Sequence, residues 1–377
     1  MNRAFSAFIS ILRAHLAGQP LALSEPVPWD GILELAKAHS LTAMVGYAVQ
    51  SAKDVPPAVA ASLRKGFHAG IFMDAQLTHL RDQLSRRLTD LHIDHAFLRG
   101  ICLRDAYPVP ALRSMGDIDV LVHMADYDAL HEVMTSMGAA LSEQDDNHRS
   151  YSFPTGATVE FHPNLLRHTS LGSVINPGWQ FVQPDAHELD PEGDYLNLLC
   201  HLAHHFCEGG TGVRSVMDIW VARQRPDQPD RAKILAVLEE AGLRPFAENI
   251  EALAEAWFGA GELTPILESF GQYILTSGVY GTRERMLLSN AAFFGSKWTS
   301  LGARIFPPKV ILEDSYPWAK GKPILLPAAW ICRMAAKVTG EKGGILKRWG
   351  KDNLSLNPEA VEAQADLLRS FGLPIPK

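Results

Sequence analysis

The chain moves between two hydrophobic periods. Phe5, Phe8, Ile9, Leu12 and Leu16 recur at helical spacing and predict an amphipathic helix at the start. "WDGILELAKAHSLTAMVGYAVQ" keeps that period. So does the run Phe72, Leu77, Leu80, Leu84, Leu88 and Leu91, with basic and acidic residues on the other face. From about 93 to 163 the pattern changes. "DHAFLRG" predicts a short strand ending at Gly100, "ICLRDAY" a short helix, "PVPALRSMG" a loop, and "DIDVLV" a second strand. Asp126 is placed to cap a helix bearing Leu130, Val133, Met134 and Met137, and Gly138 to stop it. "RSYSFPTGATVEFHP" reads as two strands joined by a turn at "PTG".

After 190 the helical period returns in "DYLNLLCHLAHHFC", "RSVMDIWVARQ" and "RAKILAVLEEAGL". Beyond 300 the stretch "RIFPPKVILEDSYPWAKGKPILLPAAW" is rich in proline and predicts turns between short helices, followed by a terminal helix. The expected organisation is α+β: a small mixed-sheet core over 93–163, flanked by a helical N-terminal region, 1–92, and a mainly helical C-terminal region, 164–377.

Composition narrows the partners. The 377 residues carry a net charge of −7, which argues against a large nucleic-acid surface. No run approaches the roughly 20 apolar residues of a membrane span. Arg13 and His15 interrupt the first apolar run, so a helix of the mature protein is expected there instead of a signal peptide. Cys102, Cys200, Cys207 and Cys332 form no CxxC pair, and reduced thiols in the cytoplasm are the simplest reading.

The candidate chemistry lies in "DIDVLV". Alternate strand residues point the same way, so Asp117 and Asp119 share a face while Ile118 and Val120 turn to the core. Two close carboxylates repel, and burying them unpaired costs several kcal/mol. Such a pair requires a cation: an arginine or lysine, or a divalent metal such as Mg²⁺ or Mn²⁺. In "TVEFHP", Glu160 has the same parity on another strand, with Val159 and Phe161 opposite. Three converging carboxylates suit a two-metal centre for in-line phosphoryl or nucleotidyl transfer. A plain exposed strand with two acids is the alternative.

The run "LRG", "LRSMGDIDVLV" and "VEFHP" resembles the nucleotidyltransferase superfamily built on the DNA-polymerase-β-like minimal fold. More narrowly, it resembles a bacterial family of uncharacterised nucleotidyltransferases. "LLCHLAHHF", "RSVMDIWVA", "GVYGTRERM" and the proline-rich stretch extend the resemblance over most of the chain. The resemblance implies metal-binding roles for Asp117, Asp119 and Glu160. It also implies an NTP substrate whose phosphates lie along Arg99 and Gly100. Ile101 stands where the superfamily commonly has serine or glycine, and Arg99 where the family often has lysine. The implied reaction moves an NMP from an NTP to an acceptor hydroxyl and releases pyrophosphate. The acceptor is open: a small molecule, a peptide or protein, or an RNA end. A related phosphoryl transfer and a catalytically silent nucleotide-binding module are the alternatives.

Supporting residues have two readings each. Arg113, four before Asp117, either assists with the triphosphate or forms a structural ion pair. His201 and His205 share a helix face, and with Asp218 form a polar cluster that could touch substrate; His162 flanks Glu160. Arg104 is expected at the surface. No GxxxxGK[ST], GxSxG or GxGxxG motif occurs.

Overall fold

The helical period of the N-terminal region becomes four helices. The computed structural model describes residues 2–24, 26–144, 148–166, 174–295, 316–339 and 356–376, with isolated positions between 299 and 313. In it α1 (Arg3–Leu16), α2 (Trp29–Ala38), α3 (Thr42–Ala48) and α4 (Pro57–Asp90) precede the sheet. The single period of residues 29–50 is split into α2 and α3 at Ser40, which takes a left-handed φ of 56°. The helix expected from Phe72 onward starts at Pro57 and is 34 residues long. Its buried stripe is Leu77, Leu80, Leu84 and Leu88, whereas Phe72 and Leu91 point to solvent.

The strands and short helices of the middle region follow: β1 (His95–Leu98), α5 (Gly100–Leu103), β2 (Asp117–Val122), α6 (Tyr127–Ser136), β3 (Ala140–Gln144), β4 (Arg149–Ser152) and β5 (Thr158–His162). Beyond residue 163 come β6 (Val182–Gln183) and β7 (Glu188–Leu189), which join the same sheet. The sheet is mixed and seven-stranded, in the order β3-β4-β5-β2-β1-β7-β6. Polar β3 and short β6 and β7 escape the hydrophobic pattern because they are edge or near-edge strands. The β4–β5 hairpin turns at the "PTG" expected, with Gly156 at φ 89°.

The sheet has two unlike faces. Phe97, Ile118, Val120, Val122, Tyr151, Val159 and Phe161 pack under α4 and α6. Arg104 belongs to this packing rather than to the open surface: its Nε and Nη2 donate to both oxygens of Asp74 on α4, at 2.8 and 2.9 Å. The guanidinium is nearly buried because this fork ties the turn after α5 to the long helix.

The opposite face carries Ala96, Leu98 and Leu121 into a second, larger core. That core joins α1–α3 to α7 (Pro191–Cys207), α8 (Val213–Ala222), α9 (Arg231–Glu240), α10 (Arg244–Phe258), α11 (Pro265–Leu275) and α12 (Arg283–Phe293). Helices from both ends of the chain thus share one interior beside the sheet. Of the proline-rich stretch, residues 304, 307–308, 310–311 and 314–315 lie outside the described residues. Short turns at Pro317–Ala319 and Pro323–Leu325 lead into α13 (Leu326–Thr339). The last helix, α14 (Pro358–Ser370), returns to the main core, where the Phe371 ring stacks on Phe270 at 4.3 Å and meets Phe206 edge-on.

Phe371 is fully buried, so Phe371→Ala should lower unfolding free energy by about 3–5 kcal/mol in urea titrations. A loss near zero would mean that α14 is not part of the cooperative core.

Candidate active site

The strand register decides which acids meet. β2 runs parallel to β5, with Asp119 directly beside Glu160, and Asp117 beside Thr158. On the other side Leu98 lies beside Asp119, so β1 delivers the next residue, Arg99, to the same spot. All the acids lie on the face turned toward α7 and α8. One oxygen or nitrogen each of Asp119, Glu160 and His162 lies within 4.8 Å of the others. Asp117 has the same parity but sits one pleat step along, roughly 6–7 Å from Asp119 along the strand, and is outside that group.

Two donors converge on Asp119. The Arg99 guanidinium reaches its Oδ1 at 2.6 Å, and His162 Nε2 lies 2.8 Å from the same oxygen. Burial pushes the Asp119 carboxyl up, but Arg99 and His162 outweigh it and hold it at about 2. Arg99, expected along phosphates, is thus engaged with an acid of the site. It lies at φ 56°, ψ −118°, a region that costs a non-glycine residue about 1–3 kcal/mol. That turn aims its side chain back across the end of β2.

Positive charge is still short. Burial, and then the charge of Asp119, raise both the Glu160 and the Asp117 carboxyls above the usual range. Asp117 is open to water at the cleft mouth, yet protein surrounds it on the remaining sides. Three carboxylates against one bonded arginine leave room for a further cation. Oxygen donors with one imidazole suit a hard divalent ion, so these residues fit the metal their chemistry implies.

Arg113 is a buried ion pair. Its Nε and Nη2 donate to the two oxygens of Asp218 at 3.2 and 2.7 Å, and the Tyr107 hydroxyl donates to Asp218 at 2.6 Å. Burial would lower the Arg113 guanidinium; Asp218 reverses this and raises it. The remaining Nη1 fills the space where Gly100 lacks a side chain, and a Cβ there would collide with it. Gly100 is therefore required by Arg113. α5 behind it is only four residues long. Asp218 is occupied on both oxygens, which places it as the holder of Arg113.

His201 and His205 meet ring edge to face at 4.4 Å on α7, beside the acids. Burial and neighbouring cations keep both neutral, His201 well below its usual range and His205 at about 3. Together these groups line a cleft of about 510 Å³ between the sheet and the helical region. Arg214 and Tyr280, not singled out in the sequence, line it too. Arg214 had a signal: it stands four residues before Asp218 on one helix face. Tyr280 lies in "GVYGTRERM", marked in the sequence only by resemblance, and its turn reaches the cleft from a distant segment.

A family model described as "Uncharacterised nucleotidyltransferase" matches residues 25–259. The chain belongs to that family. The matched span holds the whole sheet, the acids, Arg113 and α8; "GVYGTRERM" and the proline-rich stretch lie past it. Membership makes the protein a nucleotidyltransferase-type transferase with a mixed α+β fold. No curated protein and no solved structure matches the chain. Among the described residues no helix is long and apolar enough to cross a membrane.

Asp218→Asn should cost about 3 kcal/mol or more in urea unfolding, because it leaves the Arg113 charge buried and unpaired. His205 gives a pH signature. Its unfolded form takes up a proton near 6.5 and its folded form only near 3. Stability is therefore undiminished above pH 6.5 and falls as pH drops from there toward 3. His205→Gln should flatten that fall in urea midpoints between pH 7.5 and 5; an unchanged slope would contradict the buried neutral imidazole.

Proposed function

We propose that the protein transfers a nucleoside monophosphate from an NTP to an acceptor hydroxyl and releases pyrophosphate. The observation that carries this reading is the side-by-side register of Asp119 and Glu160, with Asp117 on the same face, inside the matched family span. Asp119, Glu160 and Asp117 would hold divalent metal, with Mg²⁺ or Mn²⁺ the natural ion, and His162 stands within reach of the same atoms. Bound there, the metal would neutralise phosphate charge and acidify the acceptor hydroxyl.

The chain's own residues do the rest. Were Asp119 to hold a metal, Arg99, now paired with it, would be available to bind the phosphates from the same turn. Arg113, fixed by Asp218 and Tyr107, holds Nη1 in the space over Gly100, so a phosphate beside that turn would meet its guanidinium instead of bare backbone. This offers a donor at the place where Ile101 supplies no hydroxyl. The helical regions 1–92 and 164–377 would wall the acceptor side around the 93–163 unit. His201 and His205, neutral and in the wall, would contact substrate as hydrogen-bonding groups without added charge. The free cysteines suit a cytoplasmic enzyme.

Asp119→Asn keeps the size of the side chain and removes its charge. Incubation with labelled NTP, Mg²⁺ and cell extract should label an acceptor with the wild type and give at least a 100-fold lower signal with Asp119→Asn, which melting curves should show to be folded. Mn²⁺ binding followed by paramagnetic resonance should weaken in the same variant. Undiminished labelling would rule out the acid assignment, and a mass increment of phosphate alone would favour phosphoryl transfer.

A further inference from the structure

The helical wall of the cleft holds a cation that the carboxylates do not account for. Arg214 lies in the first turn of α8 and lines the cleft. Its Nη1 donates to the Ser114 carbonyl at 2.7 Å. Among the described residues this is the guanidinium's only hydrogen bond, and no carboxylate is within ion-pair distance. The nearest acid on its own helix, Asp218, is consumed by Arg113 and Tyr107. Two guanidiniums therefore stand near Asp218, which is already engaged, and Asp117 reaches Arg214 only through space. Burial, and then the charge of Arg113, lower the Arg214 guanidinium from its ordinary range, while Asp218 and Asp117 act on it from a distance.

A second observation points the same way. The N-terminus of α8 opens on this cleft and has no side-chain cap from its own Gly212. His39 reaches in from the N-terminal region and accepts the Val213 N–H on Nδ1 at 3.3 Å, its Nε2 donating to the Leu275 carbonyl at 3.2 Å. The Arg214 backbone N–H finds no acceptor among the described residues. Thr211 and Ser215, whose hydroxyls bond each other at 2.8 Å, stand beside it on the cleft wall. The Ser114 hydroxyl donates to the Ser40 carbonyl at 2.6 Å, which fixes the loop that Arg214 grips. A half-open helix N-terminus, a free backbone donor, two hydroxyls and a guanidinium outside any ion pair are the parts of an anion site.

We infer that the first turn of α8, with the Arg214 guanidinium, is a subsite for a phosphate-type oxyanion on the helical wall of the cleft. It deepens the nucleotidyl-transfer reading by adding a phosphate-binding group that the glycine turn and the acids do not supply. The anion is either the polyphosphate tail of the nucleotide or an acidic group on the acceptor. Both present the same oxygens to the same donors.

The test uses inorganic tripolyphosphate with the full chain in EDTA, so that only the protein's own cations act. Calorimetry should show saturable binding to the wild type. Arg214→Gln should weaken it by about tenfold or more, as loss of charge-assisted hydrogen bonds does. Arg214→Lys should recover part of it, since it restores charge without the fork. Melting curves identify a variant that is unfolded, and Arg214→Lys then carries the comparison. The wild-type affinity should also fall more steeply with salt than that of Arg214→Gln, which a merely structural role would not produce. Displacement by a non-hydrolysable NTP analogue assigns the subsite to the nucleotide; additive binding assigns it to the acceptor. No binding by the folded wild type, or equal affinity in Arg214→Gln, overturns the inference. Because binding is read without turnover, an enzyme that transfers no NMP yet needs Arg214 for tripolyphosphate would sink the proposed reaction and leave the subsite standing.

Discussion

Parallel pairing of β2 with β5 forces Asp119 and Glu160 side by side, and the rest of the site answers that constraint. Like charges a strand spacing apart in a half-buried cleft cannot stand without a cation. In this structure the compensation comes from Arg99, at a backbone angle that a side chain rarely adopts. A strained residue held next to an acidic pair marks a position that the surrounding fold over-determines. The compensation is also incomplete, since Glu160 and Asp117 remain pushed toward protonation. An arrangement one cation short is suited to receive a metal together with a polyanion, because each relieves what the other introduces.

The helical wall solves a different electrostatic problem. Arg113 and Asp218 form a closed pair, tightened by Tyr107, and serve as a fixed strut against Gly100. Arg214, one helical turn before Asp218, has no such partner among the described residues. The pair fixes the shape of the wall, while Arg214 leaves it a guanidinium outside any ion pair among the described residues. Ser40 and His39, from the junction of α2 and α3, lock both the arginine loop and the start of α8. The N-terminal helices thereby act on the cleft without supplying a charged group to it.

The cores explain how far this positioning reaches. One face of the sheet is held by α4 and α6, the other by helices drawn from both ends of the chain. The cleft lies where the second face runs out of apolar cover. There Leu121 gives way to Asp119 and Asp117 along β2. The polar site is thus continuous with the core, and its walls cannot shift without disturbing packed side chains.

Local chemistry wrote much of this into the sequence. Period-two alternation marked β2 and β5, their parity put Asp117, Asp119 and Glu160 on one face, and helical spacing marked α1, α4 and α7. These depend only on side chains a few residues apart. Register depends on pairing between distant segments, so only the fold could place Asp119 beside Glu160 and leave Asp117 a step away. The same limit hid β6 and β7, two-residue strands with no pattern of their own, and the fork from Arg104 to Asp74. It also left Arg113 with two readings until Asp218, 105 positions along, came to meet it. The sequence determined which groups exist and which way each faces along its own element. Tertiary structure decided which charges are cancelled and which remain available, because cancellation requires contact and contact is non-local.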